Sequence, residues 1–119
     1  MVRSGKRVRA RKSTVERFAV VLVELDPTRG SELQKTRPCV IVSPNEINDN
    51  LRTVVIAPMT SASRKYPTRV KVKHNNQEGW VVMDQIRTID KIRVVKKFGS
   101  LSEKEIRECK RVIRETFVD

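Results

Sequence analysis

The sequence predicts a small, mainly β protein: an antiparallel barrel of short strands completed by one C-terminal helix. Three observations predict it. Short apolar runs rich in Val and Ile recur along the chain, separated by polar turns. One segment, Thr68-Arg69-Val70-Lys71-Val72-Lys73, alternates strictly between polar and apolar residues. Only the last stretch shows helical spacing, with a capping pattern in front of it.

Val20-Val21-Leu22-Val23, within a strand expected from Ala19 to Leu25, is apolar throughout, as in a strand buried on both faces, and Asp26-Pro27 closes it with turn chemistry. Further strands are expected over Arg37 to Ser43 and over Arg52 to Pro58, where the proline ends the run. Pro44 to Asn48 is expected to form a short helical turn. In the alternating segment, Val70 and Val72 face inward and the cations face solvent. His74 to Gly79 then makes a hairpin turn into Trp80-Val81-Val82-Met83, and Arg93 to Phe98 gives the last strand. Ser102 and Glu105 form a capping box, Leu101 and Ile106 occupy the hydrophobic-staple positions, and Ile106, Cys109, Ile113 and Phe117 make a stripe that should lie on the barrel.

With 119 residues the chain is one domain by length. No run approaches the roughly 20 apolar residues of a membrane span, and no apolar segment follows the N-terminal charges, so the expected location is cytoplasmic. The net charge of +12 points to an anionic partner. Half of that excess lies in residues 1 to 17, which carry seven cations against Glu16 alone. Residues 1 to 16 are read as a basic, flexible extension and 17 to 119 as the folded domain. The extension is an appendage without function, an electrostatic tether for RNA, or a segment that joins the core only in an oligomer.

Two prolines place two candidate site residues. In Thr36-Arg37-Pro38 the residue before proline is held in extended geometry at a strand entrance, and in Pro58-Met59-Thr60-Ser61 the threonine stands just beyond a strand. A planar guanidinium and a hydroxyl donor at neighbouring rims suit the holding of a phosphate. Upstream stands Asp26-Pro27-Thr28-Arg29-Gly30-Ser31-Glu32 and downstream Asp84-Gln85-Ile86-Arg87-Thr88-Ile89-Asp90. His74 is the one histidine, which excludes a two-histidine ribonuclease mechanism, and no residues have metal-ligand spacing. Cys39, in a strand run, and Cys109, on the helical stripe, read as buried structural thiols. Trp80 reads as a base-stacking residue or as core or interface packing.

These four motifs, in this order, resemble the MazF/PemK family of toxin endoribonucleases, and the resemblance runs from about Arg17 to the C-terminus. It implies an SH3-like barrel of the type those toxins share with CcdB, assembled as a homodimer with an RNA groove along the subunit interface. It also implies cleavage of single-stranded RNA at specific sequences, with no metal or other cofactor, through attack by the 2′-hydroxyl. The products would be 2′,3′-cyclic phosphate and 5′-hydroxyl ends. Arg37 and Thr60 match the catalytic arginine and threonine. Glu32 is the candidate general base or orients Arg37, since a guanidinium does not act as a base. Ser61 is a candidate for RNA binding, and Ser31, Gln85 and Arg87 either bind RNA or brace the dimer. The implied partner is an antitoxin with an acidic, flexible tail, through which the complex would also reach operator DNA. Many members carry Arg-Gly-Asp where this chain has Arg17-Phe18-Ala19. A CcdB-like gyrase poison is the alternative on the same fold, disfavoured because the chain ends Thr116-Phe117-Val118-Asp119 and lacks a Trp-Gly-Ile ending. A basic nucleic-acid-binding module without catalysis is a further alternative.

Overall fold

The computed structural model describes residues 15–25, 35–62 and 65–118. Along the chain run β1 (Ala19–Glu24), β2 (Thr36–Ile41), α1 (Asn45–Asn50), β3 (Thr53–Thr60), β4 (Arg69–His74), β5 (Gln77–Val82), β6 (Arg87–Asp90), β7 (Val94–Ser100) and α2 (Glu103–Phe117). The strands form one antiparallel sheet in the order β4-β5-β3-β2-β1-β7, with β6 added beside β3. This sheet curls on itself, as the predicted barrel requires. Its two terminal strands approach each other through side chains, the His74 ring of β4 meeting Phe98 of β7 edge to face with centroids 5.1 Å apart.

The continuous apolar runs of β1 to β3 follow from burial of both faces. Val20, Val40, Ala57 and Met59 point into a cluster that also takes Val70 and Val72 of β4 and Cys109 and Val112 of α2. Val21, Val23, Cys39, Ile41, Val54 and Ile56 point to the opposite side, where Val15 and Ile89 cover them. The alternation in β4 behaves as expected, with Val70 and Val72 buried and Lys71 and Lys73 exposed.

Pro58 does not end its strand. β3 continues to Thr60 because it changes neighbours. Residues 53–56 pair with β6, whereas Met59 and Thr60 pair with β5. Pro58 falls in the gap between those two ladders, where its missing N–H leaves no hydrogen bond unmade. The β4–β5 turn is also tighter than the sequence suggested: only Asn75 and Asn76 lie outside the strands, with φ of 54° and 62°. Two successive positive φ values define the primed turn that matches strand twist, and asparagine tolerates them.

At α2 the capping box is present, Ser102 Oγ accepting from the Glu105 amide at 3.2 Å and Glu105 Oε1 from the Ser102 amide at 2.9 Å. The buried stripe differs from the expected one at its end. Val112 is buried, whereas Phe117, the last residue of α2, is 52% exposed. Inside the fold, the fully buried Asn48 of α1 accepts from Ser43 Oγ and donates to the Ser43 carbonyl at 2.8 Å, while Ser43 Oγ accepts from the Val55 amide at 3.0 Å. This closed polar set ties α1 to β3.

Candidate functional site

Arg37 lies near the start of β2, opposite Val23 of β1, and its side chain is exposed. The β2–β3 ladder runs to the pair Cys39↔Pro58. Arg37 and Thr60 are each two residues beyond that pair, on adjacent antiparallel strands, so side-chain alternation puts both on one face of the sheet. They line the same cleft, of about 360 Å³. β2 contributes Arg37 and Pro38 to it, β3 contributes Met59, Thr60 and Ser61, and the β4–β5 hairpin contributes His74, Gln77, Glu78 and Gly79.

The hydroxyl of Thr60 is set by its own turn. Oγ1 accepts from the Ala62 amide at 3.2 Å, and its proton reaches the Ala62 carbonyl only at 3.4 Å. One lone pair is therefore occupied, while the donor side has a long, weak partner that a better acceptor displaces. Gly79 allows β5 to come this close: a β-carbon there would meet the Thr60 carbonyl oxygen at 3.3 Å.

Two guanidiniums flank the buried Cys39. Burial pushes its thiol up from 9.0 to about 12, against the pull of Arg37 and Arg87, which places both cations within electrostatic reach of the same sulfur. Arg87 starts β6, opposite Ile56, and is exposed. Arg87 shares the Ile41↔Ile56 row and Arg37 lies two residues from Cys39 in the other direction, so the two cations stand on either side of the Cys39↔Pro58 row. Gln85 is exposed in the 3₁₀ turn Met83–Gln85 and does not line the cleft. Ser61 does. Ser31 and Glu32 lie outside the described residues, as do Asp26, Pro27, Thr28, Arg29 and Gly30.

Asp84 has a structural task. Its Oδ1 accepts from Thr68 Oγ1 at 2.9 Å and lies 3.5 Å from Arg69 Nε, tying the 3₁₀ turn to the start of β4. Partial burial raises its pKa, but the Thr68 and backbone hydrogen bonds and Arg69 outweigh that, and the carboxyl lies below its ordinary value. Both cysteines are free and buried, as expected. Among the described residues, no three His, Cys, Asp or Glu side chains gather where they would hold a metal ion, and no helix is long and apolar enough to cross a membrane.

Sequence reasoning did not find the hairpin's share of the cleft. His74 and Gln77 are register partners across the Asn75-Asn76 turn, and the signal for this was the asparagine pair itself. It also stopped short at Phe18, which takes φ 67°. The Phe18 amide donates to the Ile41 carbonyl at 2.6 Å, its carbonyl accepts from the Leu101 amide at 3.0 Å, and its ring is buried.

Residues 16–117 match the family model described as PemK-like, MazF-like toxin of type II toxin-antitoxin system. A curated relative, the endoribonuclease MazF of Staphylococcus saprophyticus, is 32% identical over 105 residues, covering 83% of this chain and 88% of that protein. The fold is similar to MazF in a crystal structure of MazE-MazF from Deinococcus radiodurans, with TM-score 0.75 and 22% identity over 87% of this chain and 96% of that one. It is also similar to a mycobacterial endoribonuclease solved in complex with its cognate antitoxin, with TM-score 0.71 and 24% identity over 84% and 91% of the two chains. The match over residues 16–117, together with the relative's identity and coverage, shows that this chain belongs to the PemK-like, MazF-like toxins of type II toxin–antitoxin systems.

Proposed function

We propose that the chain is a sequence-specific endoribonuclease that cleaves single-stranded RNA without a metal ion, by attack of the substrate's own 2′-hydroxyl. The observation that supports this best is the shared cleft of Arg37 and Thr60, two residues beyond the Cys39↔Pro58 pair. In this reaction the 2′-oxygen forms a bond to phosphorus and the bond to the 5′-oxygen breaks. A proton leaves the 2′-hydroxyl and one reaches the departing 5′-oxygen. The ends are a 2′,3′-cyclic phosphate and a 5′-hydroxyl.

Charge builds on the phosphoryl oxygens as the new bond forms. Arg37 presents a permanently charged, two-pronged donor to them, and Thr60 turns its proton from the Ala62 carbonyl to the same group. Glu32 acts as base at the 2′-hydroxyl or orients Arg37. Ser31, Ser61, Gln85 and Arg87 hold the strand on either side. The protein works as a homodimer whose RNA groove follows the subunit interface. A cognate antitoxin blocks that groove with an acidic tail, and operator DNA is engaged only through that complex. Residues 1 to 16 extend the domain as an electrostatic tether for RNA phosphates. The test is incubation of a long single-stranded RNA with the purified protein in EDTA. Discrete fragments with 5′-hydroxyl ends support the reading, and intact RNA, with cleavage restored by added Mg²⁺, refutes it.

A further inference from the structure

The cross-strand register places an aromatic ring beside the candidate catalytic threonine. Thr60 of β3 pairs with Trp80 of β5, and Trp80 pairs with Lys71 of β4. Register partners project to the same face about 5 Å apart. The neighbouring row, Met59, Val81 and Val70, is buried in the core, so Thr60, Trp80 and Lys71 form a row on the outer face. Trp80 is half-buried there, with Lys71 Nζ 5.9 Å from its ring centroid.

The row opens into a groove of about 630 Å³ between β4 and α2. Tyr66, 45% exposed, stands on its wall with the Arg69 guanidinium 4.9 Å from the ring centroid. Lys65, Lys71 and Arg111 add charge, and among the described residues the groove lining holds four cations against the one carboxylate of Glu108. Arg111 is held by Glu108 and, at 2.9 Å, by Glu115, whereas the pairs of Lys71 with Glu78 at 3.2 Å and of Arg69 with Asp84 at 3.5 Å involve partly exposed side chains and are weak enough to yield to a phosphate.

We infer that Trp80 and Tyr66, with the cations between them, are a stacking platform for the nucleotides flanking the cleaved bond of a single-stranded RNA. This rests on the proposed ribonuclease reading. A strand whose phosphate sits at Thr60 must leave the cleft on one side or the other, and on the β5 side the next surface it meets is the indole. Every base has a flat face for an aromatic ring, and cations beside the rings take the phosphates between bases. An acidic peptide would use the charge but leave two aromatic faces without a matching partner.

Trp80 is the only tryptophan, so its fluorescence reports on the platform directly. The probe is a short random-sequence RNA bearing 2′-O-methyl groups, which has no free nucleophile. It should quench Trp80 saturably. Trp80→Leu should weaken the probe's affinity, read by anisotropy, by roughly tenfold, and Trp80→Phe should restore most of it. With cleavable RNA, Trp80→Leu should raise KM and leave kcat largely unchanged. Lys71→Glu, at an exposed position that does not threaten the fold, should weaken binding and lower the salt slope by about one or more. Binding that leaves Trp80 fluorescence unchanged, with KM unaffected in both the Leu and Glu variants, overturns the platform while cleavage by the wild type leaves the ribonuclease reading intact. Quenching by an acidic peptide but not by the RNA probe also overturns it, since the groove would then be a peptide site. Saturable quenching by RNA in a protein that cleaves no RNA supports the platform and sinks the ribonuclease reading.

Discussion

Gly79 and Thr60 are in backbone contact across the β5–β3 step, and a β-carbon at position 79 would lie 3.3 Å from the Thr60 carbonyl oxygen. That separation is tighter than ordinary packing, and a peptide carbonyl within a strand has little room to give. Gly79→Ala should therefore displace the end of β3 by a few tenths of an ångström, taking the Thr60 hydroxyl with it. The expected result is a several-fold fall in kcat, given that a full ångström of misplacement costs about a hundredfold, with a stability loss of only about 1 kcal/mol. Steady-state kinetics and urea unfolding on the same variant check both. An unchanged kcat would mean that Thr60 does not need this position.

Glu105 links the helix to an edge strand. Besides closing the capping box through Oε1, it accepts from the Lys73 amide of β4 through Oε2 at 2.8 Å. Glu105→Ala leaves both amides without this partner and should cost about 1–2 kcal/mol, a fall in Tm of roughly 5–10 °C. Glu105→Gln keeps an acceptor for the capping box and should recover most of that. Thermal unfolding gives the first comparison, and hydrogen exchange at the Lys73 amide, faster in the Ala variant, gives the second.

Phe18 sets backbone strain against burial. A left-handed conformation costs a residue with a β-carbon about 1–2 kcal/mol, while removing a buried phenyl ring costs about 3–5 kcal/mol. Both Phe18→Gly and Phe18→Ala should destabilise, since burial is the larger effect. The glycine variant should be the more stable of the two by about 1 kcal/mol, because it alone also releases the strain. Urea unfolding of the pair decides it. An alanine variant equal to or better than glycine would show that residue 18 is not strained.

The two thiols make stability depend on alkaline pH. Burial raises Cys39 to about 12, and burial reinforced by Glu105 and Glu108 raises Cys109 to about 12. In the unfolded chain a thiol titrates near 8.5, so above that pH the unfolded state loses protons that the folded state keeps. The contribution is complete below about pH 8.5 and is lost progressively as pH rises toward 12, by of order 1 kcal/mol per thiol at pH 10. Urea midpoints at pH 8 and pH 10 should fall more in the wild type than in a Cys39→Ala, Cys109→Ala double variant. Equal falls would place the thiols in contact with water.

Much of this fold was legible because its strands announce themselves. The alternation at Val70 and Val72, the unbroken apolar run of β1 and the Ser102–Glu105 capping box each have one natural structural solution. β6 was not legible. Arg87-Thr88-Ile89-Asp90 offers one apolar side chain, and it is a strand because β3 presents a free edge to it, a tertiary fact. The extension of β3 past Pro58 has the same origin, since nothing local says that the strand changes partner there. For the site, the proline-flanked Arg37 and Thr60 were visible as a pair of rims. The contribution of His74, Gln77 and Gly79 depended on how tightly the Asn75-Asn76 turn folds the hairpin back toward them.

In the proposed reaction the substrate supplies its own nucleophile while Arg37 and Thr60 stabilise the transition state. Arg37→Lys keeps the charge without the fork, and Thr60→Val keeps the shape without the hydroxyl. Each should lower kcat by roughly a hundredfold or more. The most direct measurement uses the wild-type protein and an RNA with a single 2′-deoxynucleotide immediately 5′ of a mapped cleavage site, assayed in EDTA beside the all-ribose strand. Both strands should bind with similar affinity, and the all-ribose strand alone should be cleaved. Cleavage of the deoxy strand at the same phosphate would contradict the proposed reaction, because the attacking group would then be water.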